Sequence, residues 1–246
     1  MANGFDPRAT ARPQPDTAGV GREGVAYDAG LRSHMLSVYN YMASGVLLTG
    51  VVALVLAMTG VAQAIFFGGG ILGWVAIFAP LIMVFFLAAR ANHMSVGGLQ
   101  AFYWSFAAVM GVSMSIIPLI YSGTSIATTF FATAAAFVSL SLWGYTTKKD
   151  LSGFGTFLLM GLVGLIVAMI GNIFIRSDTL SLVISFVGVL IFAGLTAYDT
   201  QKIKSIYFHV QGSDMLGKAA ILGALTLYLD FINMFQFLLS FLGNRE

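Results

Sequence analysis

The chain contains no cysteine, which removes thiol catalysis, disulfide bonding and cysteine-held metal together. Charge is nearly as scarce. Only 9% of the residues are Asp, Glu, Lys or Arg, where soluble domains carry about a quarter. No charged side chain occurs from Met35 to Ala89, or from Ala91 to Thr147. A water-soluble globule cannot be built that way, and disordered or disulfide-stapled chains are excluded by the same composition. A dispersed net charge of +2 offers no basic face to nucleic acid. Gly68-Gly69-Gly70 lacks the Lys-Ser/Thr that would make a phosphate-cradling loop. His34, His93 and His209 stand at span ends or in loops without a second ligand at helical spacing, so neither a bound metal centre nor a cofactor is expected.

What is present is apolar bulk. Of the 246 residues, 58% are hydrophobic, and the mean hydropathy is +0.89. A helix needs about 20 apolar residues to cross a bilayer, so each charge-free stretch holds two spans with a turn between them. Seven helices are expected, near 35–60, 71–89, 99–121, 125–145, 153–175, 180–201 and 219–242. The fold class is therefore all-α, a polytopic membrane protein. The spans are continuous apolar runs rather than the short alternations of a membrane β-barrel. Pro80 and Pro118 fall inside spans, where neighbouring helices can satisfy the freed carbonyls. Ala107, Gly111 and Ser115 recur at four-residue spacing and suit close helix packing. Tyr103, Trp104 and Trp143 lie near span ends, as interfacial anchors do. The first 34 residues differ: they hold Pro7, Pro13 and Pro15, four arginines and four acids. Two units follow, a disordered cytoplasmic tail over 1–34 and a seven-helix domain over 35–246.

Two spans carry polar residues that hydrocarbon does not tolerate. A carboxylate at mid-span costs about 2.5–3.5 kcal/mol on insertion scales. Asp230 sits deep in the last span, and Asp199 near the end of the sixth. At 100° per residue, Thr226, Asp230, Asn233, Gln236 and Ser240 fall within about 120° of one another. Ser181, Ser185, Gly188, Phe192, Thr196 and Asp199 share a narrower face of the sixth span. Both faces are expected to look inward, at each other or at a watery cavity. Two carboxyl groups so placed can share one proton and zip their helices together. Losing the proton leaves two charges that repel, or that attract a cation. Calcium wants six to eight oxygens. Asp199 and Asp230, helped by Thr196, Asn233 and carbonyls, suit transient passage of Ca²⁺ better than storage. Arg90, at the end of the second span, is placed to pair with Asp199 and hold that end shut.

At these residues the chain resembles the transmembrane Bax inhibitor motif family, in its bacterial branch. The resemblance rests on GVLIFAGLTAYDTQKI (Gly188–Ile203) and LYLDFINMF (Leu227–Phe235), supported by FLAARANHMS (Phe86–Ser95) and GYTTKKDLSG (Gly144–Gly153). It implies a central last helix wrapped by the other six, and a pH-sensitive calcium leak rather than an enzyme, with Ca²⁺ and H⁺ as its partners. By position it makes Asp199 and Asp230 the sensor pair and Arg90 their latch. It also offers a second role, since some bacterial relatives are described as modulators of a membrane-anchored AAA protease; the tail would then be the handle. Eukaryotic members often end in a lysine-rich regulatory tail, whereas this chain stops at Gly-Asn-Arg-Glu. An intramembrane aspartyl protease fits only in part. Tyr198-Asp199 matches its first motif, but Leu227-Tyr228-Leu229 precedes the second aspartate where Gly-x-Gly is needed. A rhodopsin-like chromophore site needs a lysine within the last span, and Lys218 stands before it.

Seven spans place the N-terminus and the loops after spans two, four and six on one side. Arg8, Arg12, Arg22, Arg32, Arg90, Lys148, Lys149, Lys202, Lys204 and Lys218 lie there, against Arg176 and Arg245 on the other. Basic residues favour the cytoplasm, so the expected location is a bacterial inner membrane with the N-terminus inside. A reporter fused after Glu246 should therefore be active only on the external side; cytoplasmic activity would overturn the seven-span topology.

Overall fold

The structure is a computed structural model that describes the backbone of residues 17–244 and the side chains from Ala29 to Asn244 other than Asn92. Among the described residues there are nine α-helices and no extended ladder. They are α1 (Thr17–Met58), α2 (Val61–Phe67), α3 (Leu72–Arg90), α4 (Val96–Met114), α5 (Ile117–Ile120), α6 (Gly123–Thr146), α7 (Ser152–Ile175), α8 (Asp178–Val210) and α9 (Met215–Leu242). Seven segments are long and apolar enough to span a bilayer: Ala29–Met58, Leu72–Arg90, Val96–Ile120, Gly123–Thr146, Ser152–Ile175, Asp178–Val210 and Met215–Leu242. The all-helical, seven-span architecture read from the sequence is the observed one.

Sequence chemistry sets the breaks. Gly69 adopts φ 74°, a left-handed conformation that side chains rarely take, and it turns the chain between α2 and α3. Pro118 stands in the first turn of α5, where its missing N–H is harmless; the third span is thus two helices, α4 and α5, in line of sequence. Ser95, Ser122 and Ser177 cap α4, α6 and α8 by accepting backbone N–H groups of Gly98, Ser125 and Leu180.

Two boundaries differ from expectation. The helix of the first span begins at Thr17, so residues 17–34 are not an irregular tail, and Leu31 and His34 are buried. Pro7, Pro13 and Pro15 all precede that start, and nothing after them interrupts a helix. Residues 1–16 lie outside the described residues. At the other end of the chain, α8 continues to Val210 rather than stopping at 201, carrying Lys202 and Lys204 on helix.

The last helix is the most enclosed. Of its apolar stretch 56% is buried, against 11–44% for the other six spans. It packs directly on α1, α4, α6 and α8, whereas α3 packs chiefly on α4 and α7 chiefly on α8. Tyr103, Phe106, Leu99, Leu227 and Tyr228 form the fully buried centre. Tyr103 is therefore a core residue, with its hydroxyl donating to the Tyr41 carbonyl at 2.6 Å, and not the interfacial anchor its position suggested. Trp104 and Trp143 do reach the outer surface. The Ala107–Gly111–Ser115 seam packs as expected: a Cβ on Gly111 would stand 2.7 Å from the Val52 side chain and 2.8 Å from the Thr49 carbonyl oxygen.

The closest approach of one span's backbone to a glycine of another is between α6 and α8. A Cβ on Gly144 would lie 2.2 Å from the Ala197 carbonyl oxygen, and backbone cannot yield as a side chain can. Gly144→Ala should destabilise the bundle by about 1–3 kcal/mol. Gly164→Ala, which meets open space, should be neutral or slightly stabilising. Thermal unfolding of both variants in detergent checks the contrast.

Candidate functional site

Asp199 and Asp230 meet. The helices that carry them, α8 and α9, form the most extensive contact in the molecule. At one end of the seam the Ser185 hydroxyl donates to Ser240 at 3.0 Å. A turn further, Gly188 admits the Phe237 ring, and beyond the acids Gly223 admits the Ile203 side chain. Between these contacts the two carboxyl groups are hydrogen-bond partners, side chain to side chain. Asp199 is 8% exposed and Asp230 4%. Ionised carboxylates only accept hydrogen bonds, so this contact is a bond when the pair carries a proton. Asp230 Oδ2 is buried and receives no hydrogen bond from a described N–H or O–H donor. A buried carboxyl oxygen without a donor is costly.

The rest of the expected site is less concentrated. The Thr196 hydroxyl donates to the Phe192 carbonyl at 2.8 Å, the Thr226 hydroxyl to Leu222 at 3.1 Å, and the Asn233 amide to Leu229 at 2.8 Å. Each donor is thus turned back on its own helix. Thr196 is fully buried beside the acids, and Thr226 and Asn233 are half-buried. Gln236 is exposed on the outside of α9. The polar stripe is about 120° wide at 100° per residue, and Gln236 lies at its edge, farthest round from Asp230. The stripe is wider than the seam that covers it.

Arg90 is also apart from the pair. It ends α3, is exposed, and forms no ion pair among the described residues. α3 packs on α4 and the α2 turn, so its end is not held against α8. The cation whose field reaches Asp199 is Lys202, one turn along the same helix. The i, i+3 spacing of Asp199 and Lys202 was legible in the sequence. Among the described residues no group of three or more His, Asp or Glu could hold a metal ion. Two carboxylates and scattered hydroxyl and carbonyl oxygens fall short of the shell that keeps Ca²⁺ in place.

Two hydroxyl networks around the pair were not anticipated. Thr49 donates to the Ala107 carbonyl at 2.8 Å, so its 2.6 Å contact with the Tyr228 hydroxyl has Tyr228 as donor. This ties α1 and α4 to α9, two residues before Asp230. Thr200 donates to the Thr196 carbonyl at 2.7 Å, which makes Ser141 the donor to Thr200 at 2.9 Å and Tyr39 the donor to Ser141 at 2.7 Å. That chain straps α1 to α6 and α8. It crosses a cleft of about 1000 Å³ between α1 and α6, whose lining runs from Arg32 through Met35, Tyr39 and Phe137 to Phe231. Phe231 brings α9 into the cleft wall, but neither aspartate lines it. No periodicity marks such bonds; only the fold brings Thr49 to Tyr228.

A buried seven-span seam closed by two acids defines a polytopic membrane protein with an ionisable centre. Comparison with known proteins names the family. The family described as Inhibitor of apoptosis-promoting Bax1 matches residues 31–246, and the chain belongs to it. It is 46% identical to the uncharacterized protein RP147 of Rickettsia prowazekii over 89% of this chain and 93% of that one. It is 45% identical to an uncharacterized protein of Caulobacter vibrioides, over 92% and 94%. It is 42% identical to the inner membrane protein YbhL of Escherichia coli, over 89% and 94%.

The donor order gives an asymmetric expectation. Thr49→Val leaves the buried Tyr228 hydroxyl without its acceptor and should cost about 1–2 kcal/mol. Tyr228→Phe removes the donor while Thr49 keeps its carbonyl, and should cost less than half as much. Equal losses in thermal unfolding would refute the assigned directions.

Proposed function

We propose that this protein is a pH-sensitive calcium leak of a bacterial inner membrane, in which Asp199 and Asp230 act as the sensor. The observation that carries the reading is the carboxyl–carboxyl contact buried between α8 and α9. With a shared proton the two acids hold the helices together. Without it, two like charges face each other in a low-dielectric seam, and the pair becomes a place where a divalent cation is welcome. Once the proton is lost, Asp230 Oδ2, which no described N–H or O–H donor reaches, offers an oxygen to a passing ion. Thr196 and Asn233 add a hydroxyl and an amide oxygen near the same level. Ca²⁺ is cargo, moving down its gradient, and no bond is made or broken.

Arg90 enters this reading as a latch only in a conformation that brings the end of α3 to α8; in the arrangement described here Lys202 is the neighbouring charge. The inner-membrane location is supported by the name of the Escherichia coli relative and by seven membrane-length helices. A cytoplasmic N-terminus and an external C-terminus follow from the basic residues.

The test is Ca²⁺ entry into proteoliposomes across about pH 6 to 8, with the two acids titrating as a pair. Wild-type flux should change with pH. In Asp199→Asn and Asp230→Asn the amide donates to the remaining carboxylate without needing a proton, so flux should lose its pH response. Lys202→Gln should shift the midpoint, and Arg90→Gln should shift it only if the latch conformation is populated. Unchanged flux and pH profile in the Asp199→Asn/Asp230→Asn double variant would overturn the proposal.

A further inference from the structure

A second concave site lies away from the acid pair, where the loop between α6 and α7 meets the end of α8. It is an open hollow of about 300 Å³, lined by Lys148, Lys149, Asp150 and Ser152 on one side and by Tyr198, Gln201, Lys202 and Ser205 on the other. The backbone that carries its lysines is held. Gln201 accepts the Leu151 backbone N–H at 2.9 Å and donates to the Lys149 carbonyl at 2.8 Å. One side chain of α8 thereby bonds the loop backbone on either side of Asp150 and fixes the stretch that carries Lys148 and Lys149. Lys202 projects from the next residue, its Nζ 5.9 Å from the Tyr198 ring centroid.

The one carboxylate in the pocket is already engaged. Asp150 accepts the Ser152 backbone N–H at 2.9 Å and so caps the first turn of α7, where a negative charge is favoured. That bond and the Ser152 side chain hold its carboxyl below the usual carboxylate range, so it stays ionised and turned to the helix. Three lysines against this one carboxylate line a shared hollow, and none of them forms an ion pair among the described residues. An excess of cations over carboxylates in one hollow favours an anion. The level is that of lipid headgroups: Trp143, exposed on α6 one turn before the loop, is the kind of residue that marks the membrane interface.

We propose that this pocket binds a phosphate group, that of an anionic phospholipid headgroup in the leaflet it faces. Lys148, Lys149 and Lys202 supply the charge, and Gln201 positions the first two. The site uses neither aspartate of the pair and shares only Lys202 with the calcium reading, so lipid binding is read separately from flux.

The experiment titrates the full chain in neutral detergent with short-chain phosphatidylglycerol, with phosphatidylcholine and with inorganic phosphate, and reads adducts by native mass spectrometry. Phosphatidylglycerol should bind more tightly than phosphatidylcholine, which carries the same phosphate beside a cation. Lys148→Gln/Lys149→Gln/Lys202→Gln should weaken phosphatidylglycerol about tenfold or more. Gln201→Leu, which removes no charge, should weaken it severalfold, whereas Lys218→Gln, which removes a charge elsewhere, should not. Equal affinity in the triple variant, or an unchanged Gln201→Leu, overturns the site. Inorganic phosphate binding as tightly as phosphatidylglycerol overturns the lipid assignment.

Discussion

Within hydrocarbon a carboxyl group has only other protein groups to bond to. Asp199 and Asp230 each find the other, and much of the bundle is arranged so that they can. The last helix has to be central for Asp230 to be buried at all. The sixth has to lie along it, which small residues permit: Gly188 takes in the Phe237 ring and Gly223 the Ile203 side chain. Around this seam the hydroxyls of Thr49, Tyr228, Ser141 and Thr200 bond to one another or to carbonyls, so the acids are surrounded by polar groups that are already satisfied. The unsatisfied Asp230 Oδ2 stands out against that background.

The same economy of polar contacts separates binding surfaces. The acid pair is enclosed and has one neighbouring cation, Lys202. Two and three residues further along the same helix, Gln201 and Lys202 belong to an open basic hollow. One turn of α8 therefore faces two environments of opposite character, an acidic seam and a basic rim. Lys202 borders both, so anion occupancy at the rim changes the field that Asp199 feels.

The spans, the absence of strands and the inward turn of both aspartates were readable from composition and from 3.6-residue periodicity, because long uncharged runs admit few folds. The narrow face of α8 was read correctly down to Ser185 and Thr196, since small and polar residues there have one place to go. The broader stripe on α9 was not, because angular arithmetic assigns a residue to a sector but does not say how wide the covering seam is; Gln236 shows the difference. Tyr103 looked like an anchor by position and is core by packing. Arg90 looked like a partner of Asp199 because both end spans on one side, yet sidedness does not specify which helices are neighbours. Thr49, Tyr228, Tyr39 and Ser141 carried no signal, since their bonds join segments far apart in sequence. The helical start at Thr17 was masked by composition, which senses solvation and not backbone form.

The contact of Gly144 with the Ala197 backbone bears on how the molecule can rearrange. With no side chain between them the two backbones meet directly, and any larger residue there must push α6 and α8 apart, moving Asp199 with its helix. α1 is tied to both partners of the acid pair, to α6 and α8 through Tyr39 and to α9 through Thr49. A rearrangement that parts the acids therefore has to stretch or release one of those two straps.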